Sequence, residues 1–73
     1  MAMLNYAFIA SSAVKALRYD EEAQLLEITF PSGATYHYFN VPPDLVYFFS
    51  LADSLGKFFN AEIKHRFAYV RVG

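Results

Sequence analysis

The chain has 73 residues, 56% of them hydrophobic and 19% aromatic, with no cysteine. That suffices for one small packed core and is too little for two ordinary domains, so residues 1–73 are read as a single domain, and disulfide staples, zinc ribbons and thiol catalysis are excluded. The 6 basic and 7 acidic residues leave a net charge of -1, which disfavours a protein that grips nucleic acid mainly by neutralising phosphates. Stability must then come from 8 Phe and 6 Tyr, each able to bury about 150 to 250 Å².

In chain order, Met1 to Ser12 contains an apolar patch, Ala7 to Ala10, with no Lys or Arg ahead of it. It does not read as a signal peptide, and no stretch approaches the ~18 apolar residues of a membrane span. The expected compartment is the cytoplasm, with no membrane contact. Val14 to Asp20 reads as a first strand, with Lys15 and Arg18 facing water, and Asp20-Glu21-Glu22 supplies a solvated turn. In Leu25 to Phe30, Leu26, Ile28 and Phe30 alternate with Glu27 and Thr29, the mark of a half-buried strand. Pro31-Ser32-Gly33 closes a hairpin, because proline presets φ and glycine accepts a positive one. Ala34 to Phe39, rich in β-branched and aromatic residues, makes the third strand.

At Val41-Pro42-Pro43 the period changes, with proline and Asp44 suited to a helix start. Leu45, Phe48, Phe49 and Ala52 form one apolar stripe, and after a cap at Asp53-Ser54 a second helix aligns Leu55, Phe58, Phe59 and Ile63. The tail from Phe67 to Val72 has strand content and becomes a fourth strand at the sheet edge. The predicted fold is α+β, a small antiparallel meander of three strands, two short helices and a C-terminal fourth strand, in the order β-β-β-α-α-β.

Charge is uneven along the chain. Through Gly56 two basic residues stand against six acidic ones, a net of -4, whereas Lys57, Lys64, Arg66 and Arg71 against Glu62 give the remainder +3. This end can face an anion, or be an ordinary solvated segment. Catalytic patterns are weak: the serines fit caps and turns, and no carboxylate pair or nucleophile elbow is present. No catalytic residue, metal site or cofactor is expected. His37 alternates with Tyr36 and Tyr38 and should face away from them as a surface histidine. His65 lies in a Lys-His-Arg run that suits a helix end. Ser54-Leu55-Gly56-Lys57 can be read as an anion-binding helix start, or as a cap followed by a glycine that permits close packing. Tyr36 and Tyr38 share a strand face, where an exposed pair could stack bases, although so small a chain needs its aromatics in the core.

Ser11-Ser12, Tyr19-Asp20, Leu26-x-Ile28-x-Phe30, Gly33-x-x-Tyr36-x-Tyr38, Val41-Pro42, Ser54-x-Gly56-x-Phe58-Phe59-Asn60 and Tyr69-x-Arg71-Val72 together resemble the KTSC domain family. That small module is named for its place at the C-terminus of some lysyl-tRNA synthetases, and it also occurs as stand-alone bacterial or phage proteins. The resemblance runs from about Ala10 to Val72, its most specific piece being Ser-x-Gly-x-Phe-Phe-Asn. Arg18 stands where a small residue is common in the family, and Phe58 where tyrosine is frequent, which removes a hydroxyl there. The resemblance implies an α+β domain with a role in RNA metabolism and brings no catalytic residue.

The leading expectation is a non-enzymatic module that contacts RNA or tRNA, with Lys57, Lys64, Arg66 and Arg71 on phosphates and Asn60 and Tyr38 on bases or sugars. The alternative is a protein-interaction module or homodimer that uses Tyr47 and Phe48 or an edge strand. A third reading is an enzyme acting on a small anion at Ser54 to Lys57.

Overall fold

A computed structural model describes residues 4–6 and 12–73. It contains the strands β1 (Leu4–Tyr6), β2 (Ala16–Asp20), β3 (Leu25–Thr29), β4 (Thr35–Tyr38) and β5 (Tyr69–Arg71). Between the last two strands lie the helices α1 (Pro43–Leu51) and α2 (Leu55–Phe58), and α2 runs on into a π-helical turn, Phe59–Ile63. All strands pair antiparallel in the order β1-β2-β3-β4-β5, a sheet with no crossover. The expected β-β-β-α-α-β order is present, with one more strand ahead of it. That addition, β1, pairs Leu4 with Tyr19 and Tyr6 with Leu17. A strand of three residues is too short for alternation to reveal, and its hydrogen bonds come from a partner elsewhere in the chain. The Ala7 to Ala10 patch and Ser11 lie outside the described residues.

Strand period sorts the side chains between two faces. Leu17, Tyr19, Leu26, Ile28 and Tyr38 are buried together on one face, and Val14, Val41, the α1 residues Val46 and Phe49, Leu55 of α2, and Phe59 and Ile63 of the π turn complete the core. The α1 stripe is turned only slightly from the expected one: Phe49 is buried and Leu45 and Ala52 pack against the core as expected, but Val46 joins them and Phe48 is 58% exposed. Packing fixes that rotation, since Val46 and Phe49 are spaced i, i+3 and Phe48 lies one step off their line. On the opposite sheet face, Arg18, Glu27 and His37 stand in register, and Glu27 bonds Arg18 at 3.2 Å and His37 at 2.9 Å. His37 does point away from Tyr36 and Tyr38. Asp20, expected in solvent, is buried, and its carboxylate accepts the Ala23 N–H at 3.2 Å, closing the β2–β3 turn.

Local turn chemistry holds the frame. Gly33 adopts φ +94°, and its N–H donates to the Phe30 carbonyl at 2.8 Å. The Tyr19 hydroxyl donates to the Val41 carbonyl, and the Val41 N–H donates to the Gln24 carbonyl at 3.0 Å, so the segment before α1 is tied to β2 and to the β2–β3 turn. Pro43 opens α1, and Asp44 in its first turn accepts the Leu45 N–H at 3.0 Å. Among the described residues no helix is long and apolar enough to cross a membrane.

Candidate functional site

The aromatic residues of β4 and β5 gather at one end of the core. Tyr36 and Tyr38 share the helix-covered face by strand period, and the β4–β5 register sets Tyr69 opposite Tyr38 and Arg71 opposite Tyr36. The Tyr69 ring lies 5.5 Å from that of Tyr38 and 5.8 Å from that of Tyr36. Phe30 and Phe59 join edge-on: Phe30 to Tyr36 at 5.7 Å, Phe59 to Tyr38 at 5.6 Å, and the two phenylalanines to each other at 5.5 Å. Such edge-to-face contacts match the ring quadrupoles and make a stiff wall.

The wall bounds a cleft of about 340 Å³, lined by these five rings together with Ser32, Ala34 and Lys64. Lys64 arrives there through the π turn. Its N–H donates to the Phe59 carbonyl at 2.8 Å, a bond across five residues. In an α-helix, five residues would set Lys64 about 140° around the axis from Phe59; the wider turn brings the two back toward one side. Both line the cleft. Turns of this kind recur at functional sites.

The polarity of the cleft is one-sided. Its polar side chains are the hydroxyls of Ser32, Tyr36, Tyr38 and Tyr69 and the Lys64 ammonium, with no carboxylate among the lining residues. Lys64 makes no ion pair among the described residues, whereas Arg66 is bound to Glu62 at 2.7 Å. Burial, reinforced by the neighbouring Tyr69 and Tyr36 hydroxyls, pushes the Tyr38 phenol up to about 12. It therefore stays a neutral hydrogen-bond donor at physiological pH.

The six residues singled out from sequence fall in different places. Tyr38 and Lys64 line the cleft, and Arg71 stands beside it on β5, its Nε donating to the Gly73 carbonyl at 2.8 Å. Tyr38 is only 3% exposed, so its ring is the floor of the wall, and the accessible ring is Tyr69, at 54%. Lys57 lines a different and more open groove, of about 610 Å³, with Leu45, Phe48, Ala52 and Phe58 between α1 and the second helical segment. Asn60 and Arg66 are exposed and line neither. Sequence reasoning missed Tyr69 and Phe59 as cleft residues; the Tyr69-x-Arg71 alternation carried the available signal. At Ser54 to Lys57 the geometry is that of a cap: the Ser54 hydroxyl accepts the Lys57 N–H at 3.3 Å. A Cβ added at Gly56 would meet Ala13 Cβ at 3.1 Å, so the glycine serves close packing.

Comparison with known proteins agrees with this fold. The KTSC domain profile matches residues 10–67. A KTSC domain protein from Yersinia pestis, known from its crystal structure, superimposes with a TM-score of 0.91 at 35% identity, covering 99% of this chain and 100% of that one. An uncharacterized protein of Stutzerimonas stutzeri strain A1501 is 45% identical over 65 residues, 88% of this chain and 92% of its own length. A lysine–tRNA ligase of Nostoc punctiforme is 40% identical over 58 residues, which are 80% of this chain and 10% of the ligase.

Proposed function

This chain belongs to the KTSC domain family, and we propose that it is a small cytoplasmic, non-enzymatic binding module that contacts RNA, tRNA included, at the aromatic cleft between β4, β5 and the π turn. The observation that carries the reading is the cleft itself: an exposed Tyr69 ring backed by Tyr36 and Tyr38, with Lys64, which makes no ion pair among the described residues, at its side and Arg71 next to it. Aromatic faces that stack unpaired bases beside cations that meet phosphates are how single-stranded nucleic acid is held without a large net charge. The match to part of a lysine–tRNA ligase supports an RNA context. Fluorescence anisotropy of labelled tRNA and of single-stranded RNA at low salt tests it: saturable binding that weakens as salt rises is expected, and flat titrations with both would overturn it.

A second reading has its own observation. Tyr47, Phe48 and Leu51 of α1 are each more than half exposed, and Phe48 lines the apolar groove. This face suits a protein partner or a second copy of the chain. Sedimentation at micromolar concentration discriminates, since a strict monomer removes the homodimer version.

A further inference from the structure

Resting on the reading of the cleft as the RNA contact, we infer that it is a site for one unpaired nucleotide, taking the phosphate on Lys64 and the tyrosine hydroxyls and the base on the outer face of the tyrosine wall. Size argues for one. At about 340 Å³ the cleft stands at the low end of the ~300–1,000 Å³ range of small-ligand pockets. Ring spacing sets how the base is met. Two rings that sandwich a base must stand about 7 Å apart, twice a carbon contact distance of ~3.5 Å. The Tyr69 ring is 5.5 Å from Tyr38 and 5.8 Å from Tyr36, so no base enters between them and stacking is one-sided, on Tyr69.

Electrostatics sets the other half of the ligand. The lining offers neutral hydroxyls and one ammonium, and no carboxylate to repel an anion or attract a cation. Tyr38, protonated well beyond neutral pH, adds a donor that never becomes a competing charge. An aromatic cage for a cationic ligand would want the reverse, since Lys64 would repel it. The matching chemistry is a flat ring bearing a phosphate ester.

The test is a titration of isotopically labelled protein, followed by amide and tyrosine-ring NMR, with adenosine monophosphate, adenosine and inorganic phosphate in separate arms. The monophosphate should shift Tyr36, Tyr38, Lys64 and Tyr69 and bind at least about tenfold more tightly than either fragment. Lys64→Ala should remove the preference for monophosphate over nucleoside, and Lys64→Arg should keep it. Tyr69→Ala should weaken the monophosphate about tenfold or more, while unchanged amide spectra elsewhere show that the fold is intact. Equal binding of nucleoside and monophosphate, or shifts outside the cleft, would overturn the inference. A single-stranded RNA arm separates it from the RNA reading. RNA that shifts the cleft residues while adenosine monophosphate leaves them unmoved ends the inference alone, whereas a cleft that takes the monophosphate but no RNA ends the RNA reading alone.

Discussion

Tyr38 shows how much a single side chain does in so small a protein. It is at once a buried core residue, the floor of the cleft and a phenol held protonated to about 12 by burial and by its two tyrosine neighbours. The folded-state value lies above the ordinary 10.0, so the contribution of the neutral phenol is complete below pH 10 and is lost as pH rises toward about 12. Chemical unfolding from pH 8 to 12 should therefore show wild type losing stability relative to Tyr38→Phe as pH rises; a constant difference would contradict this. Gly33 isolates a backbone effect. Nothing lies within 4 Å of a Cβ added there, yet φ is +94°, so Gly33→Ala should cost ~1–2 kcal/mol through conformation alone, measurable by urea denaturation. Tyr19→Phe removes the hydroxyl that donates to the Val41 carbonyl and should cost about 1–2 kcal/mol in the same assay.

At the scale of elements, the π turn sets the register of Lys64 against Phe59. Deleting Ala61, an exposed residue inside the turn, should let the segment relax to α-helical hydrogen bonding with Lys64 four residues from Phe59, about 40° around the axis, so that both stay on the cleft side. The expected result is a folded domain, by amide dispersion, whose affinity for single-stranded RNA stays well above that of Lys64→Ala; a fall to the Lys64→Ala level would show that the register of Lys64 against Phe59 is not what the turn supplies. This turn also marks the limit of what sequence carries. The alternation of Leu26, Ile28 and Phe30, the Pro31-Ser32-Gly33 hairpin, the Pro43 and Ser54 helix starts and the edge strand were all legible, because each is a local pattern with a local cause. A hydrogen bond displaced by one residue leaves the Leu55, Phe58, Phe59, Ile63 stripe unchanged, so the π turn was not. The rotation of α1 that exposes Phe48 comes from packing, and the meeting of Tyr69 with Tyr38 comes from a strand register set across distant segments. Lys64 and Tyr38 were visible as residue types, but the cleft that joins them exists only in the folded chain.

For the whole molecule, the net charge of -1 and the basic segment after Gly56 call for a few well-placed cations rather than a broad basic field. With two to four phosphates contacted, the log–log salt slope for single-stranded RNA should be shallow, roughly -1.4 to -2.8; a slope near zero would contradict phosphate contact. The sheet presents one aromatic wall, and Tyr47, Phe48 and Leu51 of α1 form a second, exposed apolar face. The most direct test of the cleft as the binding site is an NMR titration of the labelled full chain with a short single-stranded RNA. Saturable shifts centred on Tyr36, Tyr38, Phe59, Lys64 and Tyr69, with Tyr47, Phe48 and Leu51 unmoved, are the predicted result. Shifts confined to α1, or none at saturating RNA, would contradict it.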